Sequence, residues 1–355
     1  MFDIRNLVRS NILTMKPYSS ARDEFVGEAN IFVDANENNL GSLAANQSFN
    51  RYPDPYQRKL KQKIAEIKGV QPNQLFLGNG SDEAIDLLIR LVCKPGQDEI
   101  LTFGPTYGMY DVAANLNDVY LRLISLDENF QVQISKLQGQ LYANTKIVFL
   151  CSPNNPTGNL INPSSIEYLL QNFAGLVVID EAYIDFAGAQ SWTKRLAEFP
   201  NLVVLQTFSK AWGMAALRLG MAFAAPEIIN FLNKIKPPYN ISEATQLIAI
   251  DALQRANELP DMVTEINRGR EYLQRTLTTL PVVQKVYPSS ANFILVQVTD
   301  ADNIYNYLLD KGIVVRNRSN QINCYNCLRI TVGTQNENEA LVEALTAYTE
   351  NALVK

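Results

Sequence analysis

Residues 201–220 read NLVVLQTFSKAWGMAALRLG. The apolar run 202–205 predicts a buried strand, and it runs straight into Thr207, Phe208, Ser209 and Lys210. A lysine just past a buried strand stands at the edge of a dry core. Its ammonium loses hydration there, its pKa falls, and the amine becomes a usable nucleophile. Ser209 can donate to an anion, and Arg218 supplies a fixed positive charge eight residues after the lysine. Lysine, hydroxyl and arginine together suit a phosphorylated carbonyl compound held covalently through the amine. The same residues also read as a helix N-terminus with surface charges, and taken alone they leave both readings open.

The absence of histidine from the chain narrows the chemistry. It removes Ser-His-Asp and Cys-His triads, H-E-x-x-H zinc sites and every imidazole base. Proton transfer then falls to Lys, Asp, Glu, Tyr or Cys, or to a cofactor, which strengthens the reading of Lys210. Four cysteines are too few for a disulfide scaffold in 355 residues. Cys324 and Cys327 form a C-x-x-C without a second pair, so no metal site is expected.

At 355 residues, 47% apolar and 19% charged, the chain is expected to be globular with two domains. A net charge of -5 argues against nucleic acid or an anionic membrane as partner. No apolar run reaches membrane-spanning length, and the start MFDIRNLVRSN lacks a signal-peptide core, so a cytoplasmic protein is expected.

Strands predicted at 74–78, 99–103, 146–151, 175–180 and 202–205 alternate with helices from about residue 70 to 225. That pattern predicts an α/β fold: a large domain with a mostly parallel sheet covered by helices, its ligand at the C-terminal strand ends. Several loops at those ends carry chemistry. Gly78-Asn79-Gly80-Ser81-Asp82-Glu83 precedes a helix with Ile85, Leu88, Ile89 and Val92 on one face, and Ser81 is a candidate N-cap. The free amides of that first turn form an anion site, provided that Asp82 and Glu83 point away. Tyr107 follows one strand and could stack on a planar ring, although a lone aromatic is more often core. Asn154 and Asn155 lie between two prolines in a stiff turn. Asp180 ends the apolar run GLVVID, where a carboxylate is costly unless it meets a cation, and Tyr183 follows.

Residues 1–36 read as an arm with little regular pattern, and Arg51-Tyr52-Pro53-Asp54-Pro55 as a rigid turn presenting Tyr52. After residue 240 a long helical region reaches about 279. Strands at 292–298, 313–316 and 328–332 and helices at 302–311 and 338–353 then predict a smaller α/β domain. The expected division is an arm over 1–36 that packs with the small domain, a large domain over 37–240 and a small domain over 241–355. Arg316, Arg318 and Arg329 fall within fourteen residues near the small domain's strand ends and suit a planar or phosphate anion.

Taken in order, Asn155, Asp180, Tyr183, Ser209-Lys210, Arg218 and Arg329 resemble the signature of the fold-type I aminotransferases that use pyridoxal 5'-phosphate. SPNNPTG at 152–158 and the S-K…G…R pattern belong to that wider class. KPYSSAR at 16–22, DANEN at 34–38, RYPDP at 51–55, PTYGMY at 105–110, DEAYIDF at 180–186 and CLRITVGT at 327–334 are similar to the histidinol-phosphate aminotransferases within it. The resemblance spans nearly the whole chain.

The resemblance implies roles. Lys210 would hold pyridoxal 5'-phosphate and then carry the proton between the substrate Cα and the cofactor. Asp180 would pair with the ring nitrogen, Asn155 and Tyr183 with the ring 3'-oxygen, and Tyr107 would stack on the ring. The phosphate would lie on the amides of Gly80, Ser81 and Asp82, with Ser209 and Arg218. Tyr52 would come from the neighbouring subunit of a homodimer with a shared site. Arg329, assisted by Arg316, would receive the substrate anion, with Tyr18 and Asn36 shaping the pocket. The implied reaction converts histidinol phosphate and 2-oxoglutarate into imidazole acetol phosphate and glutamate, in histidine biosynthesis. Three alternatives stand beside it: an aromatic amino acid aminotransferase, a decarboxylase of a phosphorylated amino acid using the same cofactor, and a non-enzymatic cofactor-binding domain. Trp212 and Ala216 are bulkier than the family pattern beside the lysine and are expected to alter packing only.

Overall fold

A computed structural model describes residues 2–18, 30–44, 49–137, 139 and 141–353. Its centre follows from alternation within strands that are apolar throughout. β1 (Leu75–Asn79), β2 (Glu99–Gly104), β3 (Tyr120–Ser125), β4 (Thr145–Cys151), β5 (Leu176–Asp180), β6 (Leu202–Thr207) and β7 (Leu219–Ala224) form one sheet, in the order β1-β7-β6-β5-β4-β2-β3. Val148, Val177, Ile179 and Val204 project into one buried layer. Their sequence neighbours Phe149, Leu176, Val178 and Val203 project into the other. A strand covered on both faces needs no polar side, which is why these runs carry none.

β2, β4, β5 and β6 run parallel, as does β3 beside β2. β7 alone is reversed, antiparallel to both β6 and β1. The loop from β6 to β7 therefore returns at the same end of the sheet, and it carries Ser209, Lys210 and Arg218.

The helices described are α1 (Ser10–Thr14), α2 (Arg58–Lys68), α3 (Gly80–Val92), α4 (Met109–Leu116), α5 (Ile134–Leu137), α6 (Pro163–Asn172), α7 (Pro226–Ile235), α8 (Glu243–Leu253), α9 (Leu259–Leu277), α10 (Ala301–Asp310) and α11 (Gln335–Leu353). α3 begins at Gly80, with Asn79 as its N-cap rather than Ser81. Gly80 has φ +72°, a conformation open to glycine, and it lets the chain turn straight from β1 into the helix.

A second sheet, ordered β10-β11-β9-β8, is antiparallel throughout: β8 (Val283–Val286), β9 (Phe293–Val298), β10 (Arg316–Asn317) and β11 (Cys327–Thr331). Leu328 and Ile330 point into the core shared with α9, α10 and α11. Cys327 points the other way, into the layer under the large sheet.

The start of the chain departs from expectation. Ile4, Val8 and Ile12 bury in the layer formed by α3 and α7 on the large sheet, not on the small domain. The Arg9 amide donates to the Leu91 carbonyl at 3.0 Å, and Lys234 Nζ to the Leu13 carbonyl at 3.1 Å. Ile4 sits in a 3-10 turn, Val8 in the bend after it and Ile12 in α1, and together they fill the apolar groove between two helices.

Candidate active site

The last residues of β4, β5 and β6 are Cys151, Asp180 and Thr207, and all three line one cavity of ≈ 140 Å³. The first turn of α3, Tyr107 and the loop from β6 to β7 complete its wall. Larger hollows lie between α2 and α7, ≈ 570 Å³, and between α9 and the start of α11, ≈ 670 Å³. The first is lined by Tyr56, Arg58, Lys61 and Lys234 with no carboxylate, and burial lowers Lys61 to about 8. Only the smaller cavity gathers an amine, a buried carboxylate and an anion cradle, so chemistry rather than size selects it.

Asp180 is 2% exposed. It accepts from the Tyr110 hydroxyl at 2.9 Å and from the Ala182 amide at 3.1 Å. Burial raises its pKa from 3.8 to about 6, and the two hydrogen bonds hold it back from going further. Among the described residues no lysine or arginine forms an ion pair with it. A buried carboxylate of this kind fits a ligand that brings its own cation.

Lys210 stands on the open side of the cavity. Lost hydration is the main cause that draws its ammonium below the usual lysine range, and the Arg329 charge is the next. Its Nζ lies 5.6 Å from the centre of the Tyr183 ring. The Gly213 amide donates to the Lys210 carbonyl at 3.0 Å, which ties down the turn that carries the lysine.

The anion cradle is built by close backbone packing. The Gly80 amide donates to the Arg218 carbonyl at 2.6 Å. Gly80 therefore lines the cavity without a free amide, contrary to expectation, and Ser81 and Asp82 supply the open N–H groups of the turn. Arg218 takes a left-handed φ of +53° that turns its guanidinium back over Gly80. Thr207 Oγ1 lies 3.0 Å from Ser209 Oγ and 3.3 Å from the Leu219 carbonyl, and it accepts from the Ser209 amide at 3.1 Å, which fixes Ser209 at the cavity wall. The two acids divide. Glu83 folds onto the Asn79 amide at 2.5 Å, away from the cradle. Asp82 stays, held by the Tyr107 hydroxyl at 3.1 Å and 3.7 Å from Arg218.

On the opposite wall Asn155 Nδ2 donates to the Tyr183 hydroxyl at 3.3 Å, and Asn155 Oδ1 accepts from Arg329 Nη1 at 2.6 Å. Arg316 is the cross-strand partner of Arg329. The Arg318 amide donates to the Cys327 carbonyl at 2.8 Å, which continues that pairing and puts Arg318 on the same face by strand alternation. Among the described residues no carboxylate pairs with these three guanidiniums. Arg318 Nε and Arg329 Nε are buried without an acceptor.

Other expected residues lie apart from the cavity. Tyr52 is 50% exposed and stacks on Tyr239, ring centres 4.5 Å apart. Tyr18, 72% exposed, and Asn36, also exposed, do not line it. Positions 19–22 of the KPYSSAR string lie outside the described residues. Trp212 packs edge-on against Phe208 at 5.2 Å, behind the lysine turn. Sequence reasoning passed over Cys151 and Thr207, which line the cavity, and Tyr110, which reaches Asp180 from beneath. The first two could have been found as the terminal residues of buried strands.

The sequence profile of the family described as Aminotransferase class I and II matches residues 26–345. A histidinol-phosphate aminotransferase of Parabacteroides distasonis is 54% identical over 345 residues, 97% of this chain and 99% of that one. The solved histidinol-phosphate aminotransferase from Clostridium acetobutylicum has a TM-score of 0.79 and 25% identity, covering 85% of this chain and 92% of its own. That from Sinorhizobium meliloti, in complex with pyridoxal-5'-phosphate, has the same fold, with a TM-score of 0.79 at 24% identity over 90% of each chain.

Proposed function

The chain belongs to the aminotransferase class I and II family, and we propose that it exchanges an amino group between L-histidinol phosphate and 2-oxoglutarate. The products are imidazole acetol phosphate and glutamate, and the reaction serves histidine biosynthesis. One observation carries the chemistry: an amine drawn below its ordinary pKa and a buried carboxylate lacking a cation meet at one cavity. The narrow substrate assignment rests on the near-full-length relative.

The cofactor is pyridoxal 5'-phosphate, which when bound supplies an electron sink that makes the substrate Cα–H acidic. The donor set fits it. Asp180 offers its carboxylate to a ring nitrogen and favours the protonated form. The amides of Ser81 and Asp82, the Ser209 hydroxyl and Arg218 offer donors to a phosphate, with Gly80 giving the close approach. Tyr107 would wall the ring face, and Tyr183 and Asn155 would serve its 3'-oxygen. Lys210 would hold the cofactor through its amine and, when not so engaged, would be placed to move the substrate Cα proton. Arg329, Arg316 and Arg318 receive the substrate's anionic end, a phosphate in one half of the cycle and carboxylates in the other.

A homodimer is part of the reading. Tyr52 stands half-exposed and away from its own chain's cavity, a position suited to completing a second subunit's site. The proposed division into a large domain over 37–240 and a small domain over 241–355 puts one sheet in each. Tyr18 and Asn36 shape the pocket once substrate is bound. A cytoplasmic location belongs to the proposal because both substrates are multiply charged and do not cross membranes unaided.

The test is transfer from histidinol phosphate to 2-oxoglutarate by purified protein and its Lys210→Ala variant. The wild type is expected to turn over only with cofactor, and the variant to lose nearly all turnover. Full activity in Lys210→Ala would falsify the assignment.

A further inference from the structure

Tyr110 belongs to none of the roles above, yet among the described residues it is the largest fully buried side chain, and its hydroxyl donates to Asp180, with the Cys151 thiol close by. Its ring is stacked on Phe149, centres 4.8 Å apart and planes 17° apart, and meets the edge of Tyr107 at 5.7 Å. Phe149 and Cys151 lie on β4, and Cys151 is the register partner of Asp180 on β5. Two strands and the first turn of α4 thus fix the donor and the acceptor in one orientation.

Resting on the assignment of Asp180 to the cofactor ring, we infer that Tyr110 is a positioning residue whose hydroxyl holds Asp180 ionised and aimed into the cavity before the cofactor arrives. Burial alone drives Asp180 towards its neutral form, in which it cannot favour a protonated ring nitrogen. A hydrogen bond to the charged form opposes that drift. The other groups facing Asp180 do not suffice. The Ala182 amide occupies the second oxygen. Asp82 raises its pKa further, and Lys210 lowers it less than the hydrogen bonds do. The Cys151 thiol donates to the Pro153 carbonyl at 3.4 Å rather than to the acid. Tyr110 cannot act as an acid itself, because burial and the Asp180 charge push its own pKa well above the usual tyrosine range.

Tyr110→Phe keeps the stacked ring and removes only the donor. In apoprotein, difference infrared spectra across a pH series, with Asp180→Asn identifying the band, report the midpoint of the Asp180 carboxyl. The wild-type midpoint is expected near 6. The variant's is expected higher by about one pH unit or more. Cofactor affinity, read by quenching of protein fluorescence, should fall about tenfold against wild type near pH 5, below both midpoints, about twofold near pH 7, and the ratio should close above the shifted midpoint. A purely structural role would lower affinity equally at every pH. An unchanged midpoint, or a pH-independent ratio, overturns the proposal. Undiminished affinity and turnover in Asp180→Asn would instead contradict the assignment of Asp180 itself, and the infrared midpoint would still report on Tyr110.

Discussion

Arg329 on β11 donates to the side-chain oxygen of Asn155, in the loop after β4, at 2.6 Å. The small sheet is thereby joined to the large one at the cavity, through a residue that also contacts Tyr183. An anion drawn to Arg329 would lie against the same amide that is proposed to serve the cofactor's oxygen.

Arg316, Arg318 and Arg329, which pair with no described carboxylate, lead to the first prediction. A charge-assisted hydrogen bond to a phosphate is worth roughly 1.5–3 kcal/mol. Arg318→Gln should therefore raise the KM for histidinol phosphate by about tenfold or more and change that for glutamate less, since glutamate lacks a dianionic phosphate. Equal changes for both substrates would remove Arg318 from phosphate recognition.

Asp180 gives a prediction about stability and its sign. Its carboxyl titrates near 6 in the fold against 3.8 for the free group. Between those values the folded state keeps a proton that the unfolded state has released, so stability falls as pH rises through the window. At ~1.4 kcal/mol per pKa unit the loss is about 3 kcal/mol. Asp180→Asn apoprotein should therefore be more stable than wild type at pH 7.5, by up to about this amount, and similar to it near pH 3.8, by urea unfolding. The same variant should be nearly inactive. Equal stability of the two proteins at pH 7.5 would contradict the burial cost assigned to this carboxylate.

Gly220 on β7 tests the cradle. A Cβ there would lie 2.1 Å from the Ser81 amide nitrogen and 2.2 Å from the Gly80 carbonyl carbon, both backbone atoms. Gly220→Ala should cost about 1–3 kcal/mol and weaken cofactor binding by displacing the first turn of α3. At Gly108 an added Cβ meets nothing within 4 Å, so Gly108→Ala serves as the near-neutral control. Thermal unfolding and cofactor titration of both variants would separate the two cases.

The proposed shared site predicts complementation. Tyr52-substituted and Lys210-substituted subunits, each weak alone, should regain activity when mixed into heterodimers, because one of the two sites then keeps both residues. Heterodimers that form and remain inactive would place Tyr52 outside the partner's site.

Much of this was legible because β4, β5 and β6 are covered on both faces and so read as unbroken apolar runs that end in Cys151, Asp180 and Thr207. Other strands were hidden for physical reasons. β3 is a half-exposed edge whose Tyr120 and Leu123 face solvent. β7, LGMAFA, uses small residues to pass beneath α3, and β8 is four residues with an exposed middle. Ser81 looked like a cap because its chemistry suits one, whereas the turn is set by the positive φ of Gly80. The trio Ile4, Val8 and Ile12 was too short to register as periodicity. Tyr110 was invisible since a buried tyrosine reads as core until its acceptor is known. The exposure of Tyr52 agrees with the rigid turn that presents it, whereas that of Tyr18 has no counterpart in local sequence.

The most direct measurement is of separate half-reactions on cofactor-loaded protein. Histidinol phosphate, glutamate and phenylalanine are each added alone, and conversion of the cofactor to pyridoxamine 5'-phosphate is followed by absorbance. Rapid conversion by histidinol phosphate and by glutamate, with slow conversion by phenylalanine, is the expected result. Conversion by phenylalanine at a comparable rate would contradict the narrow substrate assignment. Absence of conversion by all three, with the cofactor still bound to Lys210, would contradict transamination itself.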